Sequence, residues 1–253
     1  MILLIFIYGL LIGSFINVCI YRIPRKESIV FPSSHCIYCG TKLKWYDLVP
    51  IISYIILKGK CRYCGKRISL LYPFVEFLHA LIYIMLYLKF GLSLDLIYYA
   101  IIFSLLIIIF FIDLYYMVIP DILVFMILVA TIVYKFLLFL IFEKNLNLIN
   151  SFLGLLVSGL LFILIIFMSK GGMGDGDVIL ISSLGFILGI KKILLTILLS
   201  FIIGAIFSIF MLISNIKGMK DPIPFGPFII LGFIISLIWG DQIINWYINM
   251  FLT

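Results

Sequence analysis

Charged residues are scarce in this sequence, and their scarcity excludes the soluble globular classes of protein. Only 11% of the 253 residues are charged, whereas 66% are hydrophobic, and the mean hydropathy is +1.36. Soluble domains carry about a quarter charged residues, so this composition indicates a membrane protein. Internal repeats, low-complexity linkers and a glycine-rich motif for a soluble nucleotide cofactor are also missing from the sequence.

The N-terminus lacks the features of a secretory signal peptide. Residues 1–8 contain no positively charged side chain, and no Ala-x-Ala cleavage site follows them. A signal peptide needs both features. We therefore expect the first apolar stretch to remain in the protein as its first membrane helix.

Long apolar runs account for most of the chain. A membrane helix needs about 20 apolar residues, and eight runs approach or exceed that length. They cover about residues 2–21, 71–88, 95–112, 121–141, 152–169, 178–190, 193–214 and 227–250. The run 178–190 is short, which favours a tilted helix or one packed partly against protein. The sequence predicts an all-α polytopic membrane protein with about eight transmembrane helices.

Positive charge is concentrated in one segment and predicts the orientation. Ten of the 18 Lys and Arg residues lie between Arg22 and Arg67, a stretch with only two acidic residues. Cytoplasmic loops carry the excess of Lys and Arg, so we expect this segment inside and the N-terminus outside. Counting along the runs puts 13 of the 18 on the cytoplasmic side, including Lys170, Lys217 and Lys220, whereas Lys144 falls outside. Only the pair Lys191-Lys192 argues for the opposite orientation.

The polar segment 22–70 contains two Cys-x-x-Cys motifs, each followed by glycine and separated by 21 residues. A two-residue spacer lets both thiolates of a motif face one ion, so the four cysteines predict a tetrahedral Zn²⁺ site. The predicted ligands are Cys36, Cys39, Cys61 and Cys64. We expect a structural zinc in a small zinc-ribbon-like domain, because so short a polar segment buries little core and four thiolates leave no open coordination position.

Other interpretations of this segment are weaker. Two disulfides are the alternative for the four cysteines, but a reducing cytoplasm disfavours them. His35 could replace one ligand, although four cysteines suffice. Cys19 lies in the first apolar run, where a buried free thiol is expected. Beside a membrane, the basic surplus favours anionic lipid headgroups over nucleic acid.

Two aspartates adjoin apolar runs at matching predicted depths. Asp113 follows the run 95–112, and Asp177 precedes another run within Gly174-Asp175-Gly176-Asp177. A carboxylate at membrane depth is costly and marks a functional site by default. One predicted helix arrives at the cytoplasmic face at Asp113, and another leaves that face at Asp177. We therefore expect the two carboxyl groups to work together.

A close pair of carboxyl groups can share one proton, as in aspartic proteases. The ionised member takes a proton from water, and the protonated member donates to the carbonyl of a peptide bond. Gly174 and Gly176 would permit positive φ and close approach of a substrate strand. The alternative is that Asp177 only caps a helix. Asp121 and Asp175 are expected to be simply solvated.

Two further polar residues, Glu76 and His79, lie within a predicted membrane helix. Their spacing of three residues puts them on one helix face. The simplest interpretation is a mutually satisfied polar pair inside the bundle, and the alternative is a functional role.

Short motifs spread over most of the chain occur in an order typical of one family. They are Gly13-Ser14-Phe15-Ile16-Asn17-Val18, Arg22-Ile23-Pro24, the two cysteine motifs, Gly59-Lys60-Cys61-Arg62, Tyr72-Pro73, Glu76, Asp113, Gly174-Asp175-Gly176-Asp177 and Pro224-Phe225-Gly226-Pro227. In content and order they resemble the type IV prepilin peptidases. These are GxGD-type intramembrane aspartic proteases that serve type IV pili and type II secretion as leader peptidases and N-methyltransferases.

The resemblance implies that Asp113 and Asp177 are catalytic, with Gly174 and Gly176 supporting the motif. It implies prepilins or pseudopilins as substrates, cleaved after a glycine at the cytoplasmic face of the bacterial membrane. S-adenosylmethionine would then methylate the new N-terminal residue. The family places this methyl transfer with the cysteine-bearing part, where Glu76 is our candidate for contacting the amine or the cofactor.

The predicted organisation is a first transmembrane helix at 1–21, a cytoplasmic four-cysteine zinc-binding domain at 22–70 that belongs to the methyltransferase region, and a helical bundle with the peptidase site at 71–253. Two positions depart from the family pattern. Ile37 stands where proline is common, and Ile179 stands where lysine is usual. The second departure would remove a positive charge near the aspartates.

Other functions remain open on the sequence alone. A peptidase that has lost methylation is disfavoured by the four cysteines. A carboxylate-bearing transporter would place its acids at the bilayer midplane, and a zinc-ribbon membrane adaptor would leave the glycine-flanked aspartate unexplained.

Overall fold

The computed structural model describes residues 1–142, 147–169, 173–214, 218 and 221–251. Within these ranges the chain forms nine α-helices. They are α1 (Ile2–Arg22), α2 (Ile52–Ile56), α3 (Leu71–Phe90), α4 (Leu94–Tyr116), α5 (Asp121–Phe142), α6 (Leu148–Met168), α7 (Asp175–Leu188), α8 (Ile190–Ile213) and α9 (Gly226–Phe251). The all-α prediction is confirmed.

Seven of these helices are long and apolar enough to cross a membrane. They correspond to seven of the eight predicted runs, so the chain is a multi-pass membrane protein. The remaining run, 178–190, lies mainly in α7, which has only 14 residues. At 1.5 Å per residue α7 is about 21 Å long, shorter than a hydrocarbon core of about 30 Å. Lys144, Lys170, Lys217 and Lys220, which entered the charge count, lie outside the described residues.

The chain divides into two compact units, residues 1–108 and 109–253, with the division inside α4. The polar segment 22–70 lies entirely within the first unit. Both aspartates of interest lie within the second.

Small residues allow α1 to lie directly on α3 in the first unit. A Cβ added to Gly9 would stand 2.6 Å from the Cα of Ala80, and one added to Gly13 would stand 2.8 Å from the Cα of Glu76. Glycines four residues apart lie on one helix face and let backbones approach closely. The contact sets Glu76 against α1 beside the polar segment.

Glycine also mediates the packing of α6 against α7 in the second unit. A Cβ on Gly185 would stand 2.6 Å from the Ser158 Oγ and 2.7 Å from the carbonyl carbon of Gly154. The helix α7 ends at Gly189, where φ is +74°. The Asn150 side chain caps this break by accepting a hydrogen bond of 3.2 Å from the Ile190 N–H. The short helix is therefore fixed against α6 at its middle and at its end.

We predict that Gly185→Ala destabilises the protein although alanine favours helices. The new methyl group overlaps the α6 backbone, and such overpacking costs about 1–3 kcal/mol. Gly240→Ala is the matched control, since its Cβ would meet only the flexible Lys192 side chain, at 3.4 Å or more. Thermal unfolding of the purified variants measures the effect. Equal midpoints for Gly185→Ala and the wild type would contradict the packing.

Candidate active site and metal centre

Asp113 is buried near the end of α4 and is held by the start of another helix. Its side chain is 5% exposed, and its Oδ2 accepts a hydrogen bond of 2.9 Å from the Gly226 N–H. Gly226 is the first residue of α9, where backbone N–H groups have no partner within the helix. The positive end of the α9 dipole also stabilises a negative charge at this position.

Asp177 is buried in the first turn of α7 and is only half satisfied. Its side chain is 6% exposed, and its Oδ2 accepts a hydrogen bond of 3.3 Å from the Gly174 N–H. Its Oδ1 is buried and has no hydrogen-bond partner within the part of the chain that the structure describes. Helix capping therefore accounts for one oxygen of Asp177 and leaves the other unexplained.

The loop residue Ile119 connects the two aspartate sites. A Cβ on Gly176, next to Asp177, would stand 2.9 Å from the Ile119 Cβ. A Cβ on Gly226, the donor to Asp113, would stand 3.2 Å from the Ile119 Cδ1. The charge of Asp113 also acts electrostatically on the Asp177 carboxyl group. The structure thus brings together two carboxyl groups that are 64 residues apart in the sequence.

The glycines of the acidic motif have a different role from the expected one. Positive φ was expected for Gly174 and Gly176, but neither is among the described residues with positive φ. Gly174 has extended backbone at φ −80° and ψ 148° and serves as the N-cap of α7. Gly176 lies inside the helix, where the contact with Ile119 leaves no space for a side chain. Close packing, rather than positive φ, therefore explains why Gly176 lacks a side chain.

The neighbouring acidic residues differ from the buried pair. Asp121 and Asp175 are both exposed at the first positions of α5 and α7, as expected for solvated carboxylates. Ile179 is 41% exposed and follows Asp177 by two residues, a spacing at which helical side chains do not face each other. A lysine at position 179 would consequently not contact the Asp177 carboxyl group from within α7.

The expected mutual pair of Glu76 and His79 does not form. The Glu76 Oε2 accepts a hydrogen bond of 2.8 Å from the Ile51 N–H. The His79 ring bonds instead to the Gly9 carbonyl oxygen at 2.7 Å and to the Ser104 Oγ at 3.0 Å. Side chains on one helix face still diverge when different neighbours offer partners, and this explains the difference.

The two cysteine motifs fold into equivalent turns. The N–H of each first cysteine donates to a carbonyl five residues later, Cys36 to Thr41 at 3.0 Å and Cys61 to Lys66 at 2.8 Å. The glycine N–H then donates back to the carbonyl of the first cysteine, at 2.8 Å for Gly40 and 2.9 Å for Gly65. Positive φ at both glycines, +68° and +71°, permits this return. The sequence motif therefore produces two matching thiol-bearing loops.

The four thiols have the chemistry and spacing that Zn²⁺ requires. Cys36, Cys39, Cys61 and Cys64 present sulfur atoms that all lie within 4.8 Å of one another. A tetrahedral zinc centre with four thiolate ligands, with bonds of about 2.3 Å, has sulfur atoms about 3.8 Å apart. The Cys36 and Cys64 Sγ atoms are 3.9 Å apart, far beyond a disulfide bond. His35 is not part of the cluster, and Cys19 is a separate buried free thiol.

Sequence reasoning missed two participants in the aspartate site. The Gly226 N–H donates to Asp113, and Ile119 packs beneath both glycines. The motif Pro224-Phe225-Gly226-Pro227 is a visible signal for the first, but nothing in it indicates which distant side chain it serves. The signal for Ile119 is weaker still, because it is one isoleucine among many.

A buried pair of aspartates on the helices of a membrane protein, with one oxygen that has no hydrogen-bond partner among the described residues, is the arrangement expected of an intramembrane aspartic peptidase. The chain belongs to the type IV leader peptidase family. The model of that family matches residues 100–209, and the bacterial peptidase A24 N-terminal domain matches residues 7–90.

Named relatives cover nearly the whole chain. The chain is 37% identical, over the full length of both proteins, to the prepilin leader peptidase/N-methyltransferase of Bacillus subtilis (strain 168). It is 33% identical to that of Pseudomonas aeruginosa, over 95% of this chain and 91% of the relative. It is 31% identical to that of Legionella pneumophila, over 100% of this chain and 96% of the relative. No solved structure matches the chain.

We predict that Gly226→Ala slows peptide cleavage by about 100-fold, as displacement of a catalytic group by about 1 Å can do. A Cβ at this position would stand 2.7 Å from the Asp113 Oδ2 and would push the carboxyl group away. Cleavage of a prepilin by purified enzyme is the measurement. Gly240→Ala, in the same helix, should cleave like the wild type. A fully active Gly226→Ala variant would show that the Gly226 contact does not position Asp113.

We predict one zinc ion per chain, bound by the four clustered cysteines. Cys36→Ser should lose the metal, because three thiolates and a hydroxyl bind zinc more weakly. Cys19→Ser should retain it, because this thiol is outside the cluster. Metal analysis of the purified proteins, together with thermal unfolding before and after chelation, measures both. Wild-type protein without zinc would contradict the prediction.

Proposed function

We propose that this chain is a membrane-embedded aspartic endopeptidase that cleaves the leader peptides of type IV prepilins or pseudopilins. It then methylates the new N-terminal residue using S-adenosylmethionine. The observation that carries the peptidase proposal is the Asp177 Oδ1, buried without a hydrogen-bond partner among the described residues, beside the hydrogen-bonded Asp113. The substrate class and the methyl transfer rest on the names of the relatives.

The hydrogen bonds support different roles for the two carboxyl groups. The 2.9 Å bond from the Gly226 N–H and the start of α9 favour negative charge on Asp113. The buried Oδ1 of Asp177 has no donor among the described residues, and a neutral O–H costs less than a charge at such a position. Asp113 is therefore the base, and Asp177 holds the shared proton on Oδ1.

Hydrolysis then needs only water and an extended peptide. Asp113 takes a proton from a water molecule as the oxygen of that water bonds to the scissile carbonyl carbon. At the same time Asp177 donates its proton to the carbonyl oxygen. When the C–N bond breaks, the amine leaves with a proton from Asp113, and the carbonyl reforms as its proton returns to Asp177. The pair ends in its starting protonation state.

The membrane orientation follows from charge. We place the N-terminus outside and both the 22–70 segment and the aspartates at the cytoplasmic face of the bacterial cell membrane, in line with the positive-inside rule. A prepilin leader is cut on that side. The basic residues of the segment face anionic lipid headgroups and not nucleic acid. A transporter is disfavoured because both aspartates lie within the end turns of their helices, away from the midplane.

The methyl-transfer region is the first unit, with a structural zinc held by Cys36, Cys39, Cys61 and Cys64. S-adenosylmethionine supplies a methyl group on a positively charged sulfur. The amine nitrogen bonds to the methyl carbon as the carbon–sulfur bond breaks, its electron pair stays on sulfur, and one proton leaves the nitrogen. Zinc fixes the fold of the segment, because four thiolates leave it no open coordination position.

We predict that Asp113→Asn and Asp177→Asn each reduce leader cleavage by at least about 100-fold, because each removes one acid–base group. The exposed residues give matched controls, and Asp121→Asn and Asp175→Asn should cleave almost normally. Mass spectrometry of the pilin N-terminus after co-expression measures the outcome. Near-normal cleavage by either buried-site variant would refute the catalytic pair.

The same variants test whether the two activities are separable. Asp177→Asn should still methylate a pilin whose leader has already been removed, because methyl transfer does not use the carboxyl pair. Loss of this methylation in a folded, zinc-containing Asp177→Asn protein would refute separate sites.

A further inference from the structure

The first unit contains a cavity of about 490 Å³ between α1, the cysteine-bearing segment and the start of α3. Pockets for small molecules typically have about 300–1,000 Å³, so the cavity has the size of a nucleoside-derived cofactor. We propose that this cavity binds S-adenosylmethionine, with Glu76 facing its positively charged sulfonium end and Arg22 facing its carboxylate. The inference rests on the proposed methyl transfer and names the site and the residues for it.

Polar residues line one face of α1 along the cavity. Ser14, Asn17, Tyr21 and Arg22 all border it, and their spacing of three, seven and eight residues from Ser14 keeps them on one helix face. Polar side chains within a membrane helix are expensive and mark functional surfaces. The Asn17 Nδ2 donates to the Tyr72 carbonyl oxygen at 3.0 Å, which ties this face to the start of α3. The polar face of α1 is therefore held against the start of α3 by a hydrogen bond.

Glu76 places a carboxyl group in the cavity wall. The residue is 7% exposed, and its Oε2 accepts a hydrogen bond of 2.8 Å from the Ile51 N–H. A carboxylate has about four lone-pair sites, so others remain for a ligand. Ile51 has φ +59°, a conformation that is unfavourable for a β-branched residue. The strained loop therefore holds one oxygen of the Glu76 carboxyl group in place.

Asp47 is the other acidic residue that borders the cavity, and its carboxylate already accepts three hydrogen bonds from within the protein. It accepts hydrogen bonds from the Arg62 Nε at 2.7 Å, the Tyr63 hydroxyl at 3.0 Å and the Lys44 N–H at 3.2 Å. Burial raises the pKa of the Asp47 carboxyl, but these hydrogen bonds outweigh it and hold the pKa below its usual range. Glu76 is therefore the carboxylate with capacity for a cationic ligand.

Arg22 supplies the opposite charge at the end of α1. Its side chain is 5% exposed, and among the described residues its one hydrogen bond goes to the Ser28 carbonyl oxygen, at 2.9 Å. A guanidinium has five N–H donors in a fork that fits a carboxylate. The remaining donors can bind the carboxylate of the methionine part of the cofactor.

Aromatic and apolar groups complete the match to the ligand. Tyr54 and Tyr72 border the cavity, and aromatic faces attract cations such as sulfonium. Tyr21 also borders it, with the Arg25 guanidinium over its ring. Apolar residues including Leu11, Phe15, Val18 and Leu57 also line it and can cover an adenine ring. The cavity offers an acidic group at Glu76, guanidinium groups at Arg22, Arg62 and Arg67, aromatic faces and an apolar slot. These are the features that this zwitterionic cationic nucleoside requires.

The test measures binding of S-adenosylmethionine and of S-adenosylhomocysteine, which lacks the methyl group and the sulfonium charge, to the zinc-containing full chain in nanodiscs. Glu76→Gln keeps an acceptor for Ile51 but removes the charge. It should weaken S-adenosylmethionine binding by at least about 10-fold, as loss of a charged contact does. It should also abolish the preference over S-adenosylhomocysteine.

Arg22→Gln should weaken both ligands equally, because both carry the carboxylate. Val18→Phe fills the cavity without removing a polar group and should prevent binding of either ligand. Glu27→Gln and Lys26→Gln are the matched controls, since neither residue borders the cavity, and both should bind like the wild type. Zinc content and leader cleavage report whether each variant is folded.

The outcomes separate the two proposals. Wild-type protein that neither binds nor uses S-adenosylmethionine refutes the methyl-transfer function itself. Wild-type protein that methylates pilin, together with unchanged binding in Glu76→Gln, Arg22→Gln or Val18→Phe, refutes this cavity as the site. If Glu76→Gln loses zinc or cleavage, Val18→Phe decides the question, and unchanged binding in that variant overturns the inference.

Discussion

The carboxyl groups of Asp113, Asp177 and Glu76 are held by backbone N–H groups and, among the described residues, not by cations. Asp113 accepts a hydrogen bond from the Gly226 N–H, Asp177 accepts one from the Gly174 N–H, and Glu76 accepts one from the Ile51 N–H. The ion pairs found within the described ranges involve Asp47 and Asp241 instead. A cation left without its partner in a buried site is strongly destabilising. A peptide N–H carries no net charge, so a carboxyl group held by one can gain or lose a proton without leaving a buried charge behind.

Backbone donors must come from positions whose N–H groups are not already bonded within a helix. This requirement determines which backbone segments can hold the carboxyl groups. All three donors lie at helix N-termini, where the first N–H groups lack partners within the helix. Gly226 begins α9, and Gly174 and Ile51 are the N-caps of α7 and α2. The backbone of Ile51 is strained, with φ +59°. Close approach of donor and carboxyl group then excludes side chains, which explains glycine at position 226. Helix ends and glycines are thus consequences of how the acids are stabilised.

The sequence predicted the elements but not their long-range partners. Composition and apolar runs identify the helices because lipid imposes a length and a polarity on each of them. Cysteine spacing predicts the four-thiol cluster because both halves are local motifs. The contact between Asp113 and Gly226 spans 113 residues, and no periodicity encodes it. The sequence also does not encode why Glu76 and His79 bond to different partners. That depends on the positions of the Ile51 N–H and the Gly9 carbonyl oxygen.

The proposed placement of the two reactions in different units is consistent with their different electrostatic needs. Peptide hydrolysis requires water and a carboxyl pair that passes protons, so its charge must change during each turnover. A sulfonium ion is stabilised by a nearby anion and aromatic faces, and its own charge favours the ionised form of a neighbouring carboxyl group. Glu76 keeps a fixed hydrogen-bond environment in the first unit, while Asp177 keeps an oxygen without a partner among the described residues in the second. The two family models match residues 7–90 and 100–209 separately, and the proposed assignment puts one reaction in each part. The carboxyl pair that passes protons is then distinct from the carboxyl group that faces the cation.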